Sequence, residues 1–154
     1  MKLQILGITA SVALLAAWTH PVPAVPQGTK YTVDMKGASA TPPVAGNASG
    51  KATLTVSGQT VHYEITVSDL SGPATMAHIH VGKPGVAGPP VYTFKIDKVG
   101  SGTLATGDID LSKPASKTVS GDSLKVLLNN GSAYINVHTA AHPGGEIRGQ
   151  IVKE

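Results

Sequence analysis

The chain has 154 residues, a formal net charge of +3, 14% charged residues, 4% aromatics and no cysteine. These values indicate one domain plus a short leader, and they exclude disulfides, thiolate metal sites and a cysteine nucleophile. The twelve basic residues are scattered, with no Lys/Arg run or aromatic-interleaved stripe, so nucleic acid is not an expected partner.

The N-terminus opens with Met1-Lys2 and an apolar run from Leu3 to Trp18, interrupted by Gln4, Thr9 and Ser11. Val22-Pro23-Ala24 then supplies the small-residue pattern of a cleavage site. A charged start, an apolar stretch and such a site are the parts of a signal peptide, here residues 1–24, with cleavage after Ala24 and Ala17 as the competing position. An uncleaved anchor is the alternative, for which the run is short. The expected location is the periplasm or the exterior of the cell. No later segment has the length and apolarity of a membrane span, so no stable membrane insertion is expected after cleavage.

Residues 25–29 read as a linker and 30–154 as a β domain. Its pattern is period two, with expected strands at Tyr31–Lys36, Gly50–Ser57, Thr60–Ser68, Thr75–Val81, Val91–Ile96, Gly102–Leu111, Ala133–Thr139 and Gly145–Val152. The clearest alternation places Val61, Tyr63, Ile65 and Val67 inward and His62, Glu64 and Thr66 outward. Ser57-Gly58-Gln59 reads as a tight hairpin. Ser120–Gly131, with a polar start and an Asn-Gly stop, reads as one short helix near 122–129. Many short strands with at most one helical insert indicate an all-β, antiparallel sandwich or barrel of about eight strands.

Chemistry concentrates in the later strands. Met76, His78 and His80 alternate onto one face, as do Tyr134, Asn136 and His138, and as do Glu146, Arg148 and Gln150. If these strands adjoin, three or four imidazoles converge. Imidazole is the commonest metal-binding side chain and the one most easily charged near neutral pH. His78, His80 and His138, with His142 or Glu146 as a further ligand, would suit copper or zinc. Asn136 and Thr139 would support them from behind. Arg148 is the single arginine beside eleven lysines. Its planar fork suggests a geometric role, and the expected partners are Glu146, Asp108 or Asp110. The loop Gly82–Pro90 is rich in Gly and Pro but leads to no helix, so it is not a phosphate loop. His62 faces solvent, and His20 lies in or near the leader.

At Pro42-Pro43, Gly46 and Gly50, then Ala77-His78-Ile79-His80 leading to Gly88-Pro89, the chain resembles the CHRD family. The closing Asn136-Val137-His138-Thr139 and Pro143-Gly144-Gly145-Glu146-Ile147-Arg148-Gly149-Gln150 carry the same likeness. The resemblance runs from about Tyr31 to Val152. It implies an immunoglobulin-like, Greek-key type of β domain in an extracytoplasmic setting, and it implies little about activity. A second likeness, a His-x-His strand followed later by Val-His, is to the copper ligands of copper/zinc superoxide dismutases. It would make His78, His80 and His138 ligands and Arg148 a guide for an anion. No histidine lies between His80 and His138 to bridge two metals, and the characteristic disulfide is impossible.

Three readings therefore stand side by side: an exported metal-binding module, a structural or adhesive module with a metal-free His/Asn/Arg network and an unknown extracytoplasmic partner, and a copper redox enzyme. The absence of a nucleophile elbow and of paired carboxylates near the motifs favours a binding module over an enzyme.

Overall fold

Strand alternation sorts the apolar residues to one side. The computed structural model describes residues 28–154, so the expected leader 1–24 and the start of the linker lie outside it. The chain forms strands β1 (Thr29–Lys36), β2 (Ser49–Ser57), β3 (Thr60–Ser68), β4 (Ala74–Val81), β5 (Pro90–Thr93) and β6 (Gly102–Asp110). Helix α1 (Gly121–Asn129) follows, then β7 (Ala133–Thr139), β8 (Ile147–Gln150) and β9 (Val152–Lys153). The architecture is all-β and antiparallel, as expected, in the form of one curled sheet.

The strand order is β5-β4-β7-β8-β1-β2-β3-β6, with β9 also on β1. Every pairing among the described strands is antiparallel, including the long β1–β2 and β2–β3 hairpins and the non-local β4–β7 pair. The two ends of the sheet approach each other. Tyr63 on β3 meets Phe94 at a ring separation of 4.8 Å and Tyr92 on β5 at 6.5 Å. The Asp97 amide also donates to the Leu104 carbonyl on β6 at 2.7 Å. The curl encloses a core of Tyr31, Val33 and Met35, Leu54, Val61 and Ile65, Ile79, Ile135 and Val137, and Ile147 and Ile151. Full burial of each aliphatic side chain contributes about 1.5–3 kcal/mol.

Helix α1 begins where the sequence places it. The Ser120 hydroxyl accepts from the Ser123 amide at 3.1 Å, and Asp122 lies in the first turn, where negative charge suits the helix dipole. Leu124 and Leu128 dock it on the core. Among the described residues no helix is long and apolar enough to cross a membrane.

Two strands differ from expectation. The strand expected at Val91–Ile96 is β5, Pro90–Thr93, because the chain beyond it leaves to close the curl. Phe94 still donates to Ala77, but Asp97 and Val99 turn to Leu104 and Ala74. The last strand, expected as Gly145–Val152, is split into β8 and β9. Gly145 has φ +118, outside the extended range, and at Ile151 the amide donates to Ala133 on β7 while β9 pairs with β1.

Candidate metal centre

The β4–β7–β8 register turns the alternating polar residues into a grid. Met76 lies opposite His138, His78 opposite Asn136 and then Arg148, and His80 opposite Tyr134 and then Gln150. These positions face away from the core, yet His80, His138, Tyr134, Asn136 and Arg148 are all buried. Two Gly/Pro loops cover them: Gly82–Pro89, between β4 and β5, and Ala140–Glu146, between β7 and β8.

The loops are held by their backbone carbonyls. His80 Nδ1 donates to Gly88 O at 2.8 Å, and His138 Nδ1 donates to Pro143 O at 2.9 Å. Asn136 Nδ2 donates to Gly144 O at 3.2 Å, and Gln150 Nε2 donates to Gly82 O at 2.7 Å and to Gly131 O at 2.9 Å. A Cβ at Gly88 would strike the Val81 carbonyl, and one at Gly145, already at positive φ, would strike the Asn136 amide. Glycine is required at both points for the loops to lie this close.

A carbonyl oxygen only accepts, so the proton of each neutral ring, His80 and His138, is on Nδ1 and both Nε2 atoms carry lone pairs. His78 Nδ1 therefore donates to His138 Nε2 at 3.1 Å, a hydrogen bond that an ion shared by these two nitrogens would replace as the His78 proton moves to Nε2. One ring nitrogen from each of the three histidines falls within 4.8 Å of the others. Nitrogens bound to one ion at about 2.0–2.1 Å stand about 2.9 Å apart at a right angle and about 3.3 Å apart in a tetrahedron. The His78–His138 spacing already lies between those values. His80 Nε2 is buried with no hydrogen-bond partner.

The electrostatics favour the neutral form of His78 and His80. Burial pushes the His78 imidazole down to about 4, and His138 and His80 beside it act in the same direction. Burial also lowers His80; the Gly88 carbonyl opposes that, while His138 and Arg148 add to it. Neutral imidazole is the form that ligates a metal.

The other expected site residues are placed differently. His142 and Glu146 are not members of the three-histidine group. The Glu146 carboxylate turns to the opposite side of β7, where Oε1 accepts from the Ser71 amide at 2.8 Å. Its Oε2 accepts from the Ser71 and Thr139 hydroxyls at 2.7 and 2.6 Å. Burial alone would raise this carboxyl, but those hydrogen bonds and the nearby His142 hold it below its ordinary value.

The expected ion pairs of Arg148 are absent among the described residues. Asp108 pairs with His62, Asp110 with Lys113, and Glu146 with hydroxyls. The guanidinium instead donates from Nη1 to Thr41 Oγ1 at 3.0 Å and from Nη2 to Lys83 O and Val86 O, both at 2.9 Å. It also lies 3.5 Å from the centre of the Tyr134 ring. The other face of Tyr134 stacks on His80 at 5.0 Å and 14°. Arg148 is 3% exposed, and its guanidinium tethers the 82–89 loop. Burial lowers its pKa, with Tyr134 acting the other way.

Sequence reasoning missed the backbone acceptors Gly88, Pro143 and Gly144 and the Thr41 hydroxyl. A carbonyl acceptor has no side-chain signature; the Gly/Pro richness of the two loops was the only available sign.

A model of the CHRD domain matches residues 31–151. Chordin of Danio rerio is 34% identical over 125 residues, covering 77% of this chain. The chain spans 12% of that relative's length.

Proposed function

The chain belongs to the CHRD domain family, and from that premise and the histidine geometry we propose that it is an exported β-module holding one transition-metal ion, copper or zinc, through His78, His80 and His138. The observation that carries the reading is the buried, partnerless Nε2 of His80 beside two further ring nitrogens. Buried polar atoms are nearly always satisfied, and an orphan in a native fold calls for an ion or a water. Each described orphan of this kind belongs to the same face: His80 Nε2, Asn136 Oδ1 and Gln150 Oε1. The three nitrogens lie within 4.8 Å of one another, so reaching the spacing of about 3.3 Å in a tetrahedral site takes at most about 1.5 Å. Export rests on the leader pattern of residues 1–24.

A bound ion would supply a cross-link between β4 and β7 and a Lewis-acidic position on the protein surface. The protein's own residues do the rest: the Gly88 and Pro143 carbonyls fix two ring tautomers, and Tyr134 and Arg148 brace His80 from behind.

Thermal unfolding of the metal-stripped protein tests this. One equivalent of Cu(II) or Zn(II) should raise the Tm of wild type and leave His78→Ala/His80→Ala unmoved, because a ligand bound only to the native state stabilises it. A folded wild type whose Tm neither ion changes would overturn the reading.

A metal-free structural role has its own support in six side chains of this face that bond loop backbone: His80, Asn136, His138, Arg148, Gln150 and Tyr134, whose hydroxyl accepts from the Gly88 amide at 3.1 Å. On that reading the network fixes strand register and loop shape, and the double variant loses stability without any metal dependence.

A further inference from the structure

Three imidazoles leave a transition-metal centre one ligand short of four. His142 and Glu146, the natural candidates by sequence, are not in the group, and the Glu146 oxygens are committed to Ser71 and Thr139. Met76 occupies the remaining corner of the grid. It lies directly opposite His138 in the β4–β7 register and two residues before His78 on the same face. Directly opposed residues have Cβ atoms about 4.5–5.5 Å apart, and same-face neighbours along a strand are about 6.6 Å apart. A methionine stem with three rotatable bonds spans such distances readily.

Met76 is one of the exposed large apolar side chains among the described residues, with Val86, Val126 and Val152. The β4 strand buries Ala77 and Ile79 on one face and carries His80 beneath the 82–89 loop on the other, yet Met76 on that same face is 46% exposed. Met35, by contrast, is 1% exposed in the core. A strand position that gained nothing from a thioether would suit a polar residue such as the threonines that face solvent on β2 and β3.

We infer that the Met76 thioether is the fourth ligand of the His78/His80/His138 centre and makes it selective for copper, Cu(I) above all. The inference rests on the metal-binding reading given above and names the ion. Thioether sulfur is a soft ligand that favours Cu(I), whereas Zn(II) is well served by imidazoles and a water. The three nitrogens alone would follow the general preference order and discriminate little between the oxidation states of copper. Sulfur at the exposed corner adds that discrimination, and it leaves the site reachable from solvent for loading.

The test uses the metal-stripped protein, Cu(I) in competition with a colorimetric chelator, and Zn(II) titration. Met76→Leu keeps size and apolar character at a half-exposed position, so folding is preserved. It should weaken Cu(I) binding by about tenfold or more, the range seen when a metal site loses a supporting ligand, while Zn(II) binding stays within about twofold. X-ray absorption of the Cu(I)-loaded wild type should show a sulfur scatterer that Met76→Leu lacks. A Cu(I) spectrum with nitrogen scatterers alone, or equal Cu(I) affinity in both proteins, would overturn the role of Met76 while the histidine centre stands. A wild type that binds neither Cu nor Zn would overturn both.

Discussion

Strands β3 and β7 carry similar period-two sequences but end in different environments. On β3, Val61, Tyr63, Ile65 and Val67 are buried while His62 and Glu64 are exposed, so the strand is half wet. On β7 every residue is buried. Its polar face, Tyr134, Asn136 and His138, lies beneath two loops that β3 lacks. The consequence is clearest for histidine. His62 Nδ1 meets Asp108 at 2.9 Å with both side chains mostly in water, whereas His78, His80 and His138 pack ring against ring, and burial lowers the pKa of His78 and His80. Covering one face of a sheet turns a solvated row of polar residues into a preorganised site.

The largest test of that contrast is Arg148→Leu, which removes three hydrogen bonds and the Tyr134 contact beneath the 82–89 loop. Urea unfolding should show a loss of about 2–4 kcal/mol. Asp108→Ala, which breaks the exposed pair on β3, should cost less than about 0.5 kcal/mol. Comparable losses at the two sites would erase the distinction between the covered and open faces.

A smaller effect is expected at Gly88→Ala, where the new Cβ meets the Val81 carbonyl and pushes the loop off His80. Overpacking of this kind costs about 1–3 kcal/mol. The same variant should weaken metal binding, since His80 loses the acceptor that fixes its tautomer; unchanged binding would mean that the loop is not part of the site.

Smaller still is a pH effect at the far end of the covering loop. Glu146 titrates below its ordinary value in the fold, so its contribution is complete above the ordinary carboxylate range and is lost as pH falls through that range toward the depressed native value. In a series of melts, Glu146→Gln should lower the neutral plateau and flatten the acid side of the stability profile below about pH 4.5, so that the two profiles converge in acid. A variant profile parallel to wild type would remove Glu146 from the account.

The parts of this fold that were legible in the sequence are local. The Val61–Val67 alternation, the Ser57–Gln59 turn and the Ser120-capped helix each follow from residues a few positions apart. The same rule placed His78 with His80 and Asn136 with His138 on shared faces. That β4 and β7 pair, bringing together His78 and His138 from 60 residues apart, is a tertiary fact that periodicity left open. The roof was not legible at all. Whether Gly82–Pro89 folds over the sheet depends on carbonyls that any sequence offers. Arg148 illustrates the cost: a search for its partners among carboxylates overlooks two backbone oxygens and an aromatic ring that together replace a counter-ion. Glu146 misleads in the same manner, because a single residue of irregular backbone at Gly145 suffices to turn its side chain to the other face.

On the proposed function, three imidazoles on the covered face share one ion. Pulsed electron paramagnetic resonance of the protein loaded with one equivalent of Cu(II) counts coordinated imidazoles directly. Wild type should show three, and His80→Asn two. A spectrum with one or none in the wild type would contradict the claim.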